Sequence, residues 1–289
     1  MAYPVTSSDV PTPERLVGAL RPLPPVARVL ARLQRLLADP NSDLDDIAEL
    51  IRLDAALATR VIQISNSVWF ARGQQSETIT EAVNRMGFRE VYHLVTVTVS
   101  GAMVTQPLAA YGRNANAMWH ESVACAFAAE ILAERLGEDV AGAYMSGLLH
   151  AIGRLPINQY LLSTENPRRP LIDEGFPRDH SGAEFALLGF NQADVGALML
   201  TKWDFTPSTI QPVLHQYDPL EAQEPHDRMA AVLYGARLLR TVVCQNKPAA
   251  ELDIAGEILG ALHLSTDDLL GHLPELREQL SRAHQITNV

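Results

Sequence analysis

The sequence is poor in cysteine, in aromatic and basic residues, and in long apolar runs. Two cysteines among 289 residues, Cys125 and Cys244, make no disulfide framework, and each lies in an apolar helical pattern where a buried free thiol is expected. Lys and Arg number 23 against 34 Asp and Glu, a formal charge of −11. That balance disfavours non-specific binding to nucleic acid or to an anionic membrane. The most apolar run, Val91 to Val104, is interrupted by His93, hydroxyl residues and Gly101, and is too short and mixed to span a bilayer. Residues Met1 to Ser8 show neither the basic nor the apolar region of a signal peptide. The expectation is a cytoplasmic protein without membrane contact, long enough for one large or two modest domains.

What is present is helical periodicity. Val26, Val29, Leu30, Leu33 and Leu37 share one face of a first helix, with Pro24 and Pro25 at its opening. Ser42 is placed to cap a second helix, Asp54 a third, and Asn66 to end the third in a left-handed conformation. Thr78 with Glu81, and Ser181 with Glu184, read as capping boxes. Val95-Thr96-Val97-Thr98-Val99 alternates like a strand. Every neighbour reads as helix, so a buried helix is predicted there. Pro107 to Asn116 is the best linker candidate, and 163–180, with Arg168, Arg169 and Arg178, reads as a mildly basic loop. The predicted fold is all-α: a flexible arm over 1–20, an N-terminal helical subdomain over 21–112, and a second helical subdomain over 113–289.

One stretch carries potential chemistry. Trp119-His120-Glu121-Ser122 opens a long helix, and Gly147-Leu148-Leu149-His150-Ala151-Ile152-Gly153 follows about one helix-turn-helix later. A His on one helix and a His-Asp pair on the next is how HD-type phosphohydrolases begin their metal site. Here Ala151 stands where the Asp would be, and alanine has no lone pair to offer. Taken singly, His120 reads first as a core histidine and His150 as a helix-end histidine bonded to a carbonyl. His215 reads equally as a pocket member or a surface residue. Trp119 and Trp203 read as core aromatics, and Glu184 as a capping carboxylate before a pocket acid.

Leu23-Pro24, Asp39-Pro40, Asp54, Leu57, Asn66-Ser67, Ile79, Ala82 and Gly87 in the first half, with Trp119, Ser122, Ala124, the Gly147–His150 run, Ile152-Gly153, Glu184, Gly189, Val195-Gly196, Trp203 and His215 in the second, resemble the HDOD family. These are the HD-related output domains of bacterial signalling proteins, and the resemblance covers residues 20 to 245. It implies an N-terminal helical bundle packed on a divergent HD-like half. It also implies departures at the site: Ala151 for the paired Asp, Gln192 where the family often has His, His215-Gln216 for a His doublet, and Arg237 at the position of a late Asp. Three imidazoles without a carboxylate make a poor hard-metal site.

The function expected is therefore a non-catalytic bacterial signalling module that binds other signalling proteins, as in motility or second-messenger circuits, and uses no cofactor. His120, His150, Ala151, Gln192, His215 and Arg237 form its vestigial pocket. The alternatives are a metal-dependent phosphohydrolase or phosphodiesterase with a rearranged site, and a nucleotide sensor using that pocket.

Overall fold

Apolar stripes at helical spacing need a shared interior, and the chain supplies one. The computed structural model describes residues 10–19, 25–39, 41–70, 75–104, 107–163, 180–245, 248, 251–252 and 254–287. Its helices are α1 (Pro13–Ala19), α2 (Pro25–Ala38), α3 (Leu44–Arg52), α4 (Ala55–Ser65), α5 (Ile79–Met86), α6 (Phe88–Val104), α7 (Ala115–Leu136) and α8 (Val140–Leu149). There follow α9 (Arg154–Leu161), α10 (His180–Leu188), α11 (Gln192–Lys202), α12 (Pro207–Leu214), α13 (Asp227–Gln245), α14 (Gly256–Ala261), α15 (Thr266–Leu270) and α16 (Leu273–Thr287). Among the described residues no strand forms; a lone bridge joins Leu108 to Arg113. The fold is all-α.

The alternating segment 95–99 lies inside α6. Thr96 Oγ1 donates to the carbonyl of Tyr92 at 2.8 Å, so its buried hydroxyl is satisfied within the helix. Helix α7 is the axis of the second half: it packs against α6, α8, α13 and α16. Its run of small residues, Ala124 to Ala129 around Cys125 and Phe127, lets neighbours approach closely. At Gly147 of α8 an added Cβ would stand 2.5 Å from the Cys125 carbonyl, so the α7–α8 crossing requires a residue without one. One core cluster continues from Leu16 in α1 to Leu280 in α16. The buried Gln34 of α2 ties the two halves, donating to Thr209 Oγ1 and accepting from the Thr206 N–H.

Several local expectations are corrected. The cap of α3 is Asp43, not Ser42; its carboxylate accepts from Asp45 and Asp46 N–H groups at 2.8 and 3.1 Å and suits the positive helix end. Asn66 ends α4 with a right-handed φ of −95°. Its side chain is used elsewhere, bonding both the N–H and the carbonyl of Ser76. The Thr78–Glu81 box forms as read, but α10 begins at His180, so Ser181 is no cap there. The candidate linker is packed: Ala110 N–H donates to Asn158 Oδ1 at 2.9 Å, and Gly112 takes the left-handed turn. Arg168, Arg169 and Arg178 lie outside the described residues.

The expected flexible arm also fails in part. Residues 13–19 form α1, which packs on α9 and α11 and buries Leu16 and Val17. Prolines at 4, 11 and 13 suggest a loose arm, but Pro13 opens the helix, and two adjacent aliphatic residues provide enough apolar surface to dock it. A chain starting at residue 20 is accordingly expected to lose about 3 kcal/mol, from two aliphatic side chains at roughly 1.5 kcal/mol or more each. Urea denaturation of the truncated and full chains checks this; equal midpoints would show that α1 contributes nothing.

Candidate functional site

The site is assembled by three close helix junctions. His150 caps α8, and the turn 150–153 leads straight into α9. Gly153 lies against the start of α11, where a Cβ would meet the Gln192 carbonyl at 2.0 Å. Asn191 caps α11 through a box with Asp194, which fixes Gln192 at its first turn. His150 is 1% exposed and Gln192 and Gln216 are fully buried.

These groups hold one another. The His150 carbonyl accepts from Gln192 Nε2 at 3.0 Å and from Gln216 Nε2 at 2.8 Å. Gln192 also bonds the Tyr217 hydroxyl at 3.0 Å. Arg237 donates to the Gln216 carbonyl and lies 4.0 Å over the Tyr217 ring. His150 Nδ1 is 2.7 Å from the Gly147 carbonyl, an acceptor, so Nδ1 carries the hydrogen and Nε2 presents a lone pair. Burial, and then the guanidiniums of Arg240, Arg154 and Arg237, hold the imidazole well below its ordinary pKa, in the neutral form.

A second ring surrounds this one. Glu121 on α7 is buried and meets Arg240 at 2.9 Å, Arg113 at 3.4 Å and Arg154 at 3.9 Å. Burial raises its pKa, but the three arginines outweigh that and hold it below the usual carboxylate value. Glu184, fully buried, accepts from the Tyr111 hydroxyl at 2.8 Å and from the Gln192 N–H at 2.6 Å. It is thus an internal tie between α10 and α11, not a capping residue. Ala151, buried, offers no donor atom.

Of the six positions singled out by sequence, the structure brings together His150, Ala151, Gln192 and Arg237. His120 stands apart, its Nδ1 3.2 Å from Cys244 Sγ and its ring stacked on His284 at 4.9 Å. His215 lines a separate groove with Glu221, Glu224 and His226. Sequence reading missed Glu121, Arg154, Arg240 and Tyr217 as members. Arg240 carried a usable signal, since it follows Arg237 by three residues on a helix face shared with Ala236 and Val243. A further cleft of about 290 Å³ lies between α6, α7 and α16, lined by Leu94, Val97, Phe127, His93, Arg89 and Arg282.

Among the described residues, no three His, Cys, Asp or Glu side chains converge as metal ligands would. The donor set does not fit the metal that an HD site uses: an alanine, two amides and fixed cations surround the one available imidazole.

This arrangement, an all-α bundle enclosing a buried cluster of one imidazole, two amides and several arginines, defines a divergent HD-like helical fold. Residues 23–219 match the HDOD domain family, and the chain belongs to that family. Similar solved structures include a candidate phosphohydrolase of Shewanella amazonensis SB2B, at 25% identity and TM-score 0.65 over 96% of each chain. An HDOD domain protein of Geobacter sulfurreducens aligns at 20% identity and TM-score 0.69, over 93% of this chain and 94% of that one. A candidate signal transduction protein of Marinobacter aquaeolei VT8 aligns at 22% identity and TM-score 0.71, over 95% of this chain and 61% of that one. A protein of Treponema pallidum (strain Nichols) is 29% identical over 135 residues, 46% of this chain but 26% of that protein's length. No described helix is long and apolar enough to cross a membrane.

Proposed function

We propose that this chain is a non-catalytic bacterial signal-transduction module that acts in the cytoplasm by binding other signalling proteins, without a cofactor. The observation that carries the reading is the side-chain set at the old metal position. Ala151, Gln192 and Arg237 replace donors there, and Gln192, Gln216 and Arg237 bond to the site's own backbone carbonyls. A scaffold retained around such a site is free to serve as a recognition surface. The exposed Val68 (97%) and Trp69 (51%), just beyond α4, are apolar groups of the kind partners bury.

One observation favours the alternative, a phosphohydrolase with a rearranged site. A histidine with Nδ1 tied to a carbonyl and Nε2 free has the posture of a metal ligand. Elemental analysis and phosphodiester turnover decide between them. The purified protein is expected to hold no stoichiometric transition metal and to show no turnover. Ala151→Asp alone should restore neither, because the new carboxylate enters a neighbourhood rich in guanidiniums and pairs with one of them instead. A full equivalent of metal after dialysis of Ala151→Asp, or turnover by the native chain, would move the enzyme reading to first place.

A further inference from the structure

The cleft between α6, α7 and α16 shares no residue with the His150 cluster. It holds about 290 Å³, close to the lower end of the roughly 300–1,000 Å³ of small-molecule sites. Its floor is apolar and buried: Met86, Leu94, Val97 and Phe127 are each less than a tenth exposed. One imidazole stands in its wall. The His93 ring meets Phe127 edge to face at 5.2 Å between centroids, and the fully buried Tyr144 packs on both rings, at 4.6 and 5.5 Å. These rings are fixed before any ligand arrives, so binding costs little ordering of the walls.

The charges along the cleft decide the kind of ligand. Its two arginines are already engaged: Arg89 meets Glu130 at 3.1 Å and Glu134 at 2.6 Å, and Arg282 meets Glu90 at 2.9 Å. An anion would have to displace those carboxylates from each guanidinium. Glu275 of α16 also lines the cleft, with its side chain 52% exposed, and its ion-pair contact among the described residues is the His272 imidazole at 4.0 Å. Four carboxylates, counting Glu130 beneath, thus stand against two guanidiniums. His93 Nε2 lies 2.8 Å from Glu130 Oε1, an acceptor, so Nε2 carries the hydrogen, and in the neutral ring Nδ1 offers a lone pair. What the cleft leaves over is acceptors and negative charge. They suit a ligand with hydrogens to donate and a positive charge.

We infer that this cleft is a binding site for a small aromatic amine. Its flat ring lies on Leu94, Val97 and Phe127 beside His93, and its protonated amino group is held at the rim by Glu275. The ring buries apolar faces on the floor, and the ammonium meets the surplus of carboxylate charge. The occupant touches α6, α7 and α16 at once, and so fastens the C-terminal helix to the bundle. None of this depends on whether the His150 cluster is catalytic.

The test is isothermal titration of the full chain with tryptamine, indole and indole-3-acetate at neutral pH and matched ionic strength. The three share one ring and differ in charge. Tryptamine is expected to bind saturably, one to one, indole several-fold more weakly, and indole-3-acetate not at all. Glu275→Gln keeps the shape of an exposed side chain but removes its charge. It should weaken tryptamine about threefold or more and leave indole unchanged. Val97→Phe fills the floor of the cleft and should abolish binding of both. Glu49→Gln, on the exposed face of α3 outside the cleft, should bind as the native chain does. Should Val97→Phe fail to fold, the exposed change at Glu275 keeps the test decisive. No saturable binding of tryptamine by the native chain, indole-3-acetate binding as tightly as tryptamine, or tryptamine binding unchanged in Glu275→Gln overturns the inference. Binding of the tripeptide Lys-Trp-Lys where tryptamine fails to bind would give the cleft to a side chain of a partner protein, and overturns it as well.

Discussion

Gly153→Ala is expected to cost about 3 kcal/mol and to disorganise the site, although it adds a single methyl group. The new Cβ would stand 2.0 Å from the Gln192 carbonyl oxygen and 2.6 Å from the Gly196 N–H nitrogen. Both obstacles are backbone, so no side chain can swing aside, and the start of α9 must separate from the first turn of α11. That movement pulls Gln192 from the His150 carbonyl and the Gln192 N–H from Glu184. Gly18→Ala provides the contrast, because its Cβ would meet nothing within 4 Å on an exposed helix face. It should be neutral or stabilising by up to about 1 kcal/mol. Chemical denaturation of both variants checks the pair, and equal midpoints would show that the α9–α11 crossing yields easily.

Glu121→Gln should be comparably damaging, at about 3 kcal/mol or more, because it removes the carboxylate that Arg113, Arg154 and Arg240 share. The buried guanidinium of Arg240 then loses its counter-charge at 2.9 Å, and Arg154 is left with Glu184. Adding Arg240→Met should recover part of the loss, since an apolar side chain of similar length replaces an unpaired charge. The pH dependence has a definite sign. Glu121 titrates below its ordinary value of 4.5 in the folded chain. Its contribution is therefore complete above about pH 4.5 and falls away as pH drops through the lower folded value, where the unfolded chain binds more protons. The stability gap between native chain and Glu121→Gln should thus close on acidification. A gap that stays constant down to pH 3 would mean that the carboxylate is not the group that matters.

His150 acts in the same direction at higher pH. Its imidazole is held neutral in the fold while the unfolded chain protonates near pH 6.5. Stability should therefore begin to decline as pH falls below about 6.5, before Glu121 contributes any loss. The two steps are separable in a pH series, because Glu121→Gln removes only the lower one.

Much of this molecule follows from local chemistry written along the chain. Helical stripes such as Val29, Leu30 and Leu33, the Thr78–Glu81 box and the Asp54 cap are short-range features, set by side chains a few residues apart, and they form as read. The lack of a donor at position 151 is equally legible, because an alanine side chain has no lone pair to offer in any fold. What sequence alone left undecided were long-range partnerships. Glu184 has the spacing of a capping-box partner, yet α10 already includes His180 and Ser181, and its carboxylate turns inward to Tyr111, 73 residues away. His120 and His215 have the right identity for a pocket, but helix rotation sends one to Cys244 and the other to a separate groove. Arg154, Arg240 and Glu121 read as isolated charges on three helices. Only the close crossings permitted at Gly147 and Gly153 bring them together, and burial then makes each charge depend on the others. The helices are properties of the sequence; the charge of the site is a property of how those helices cross.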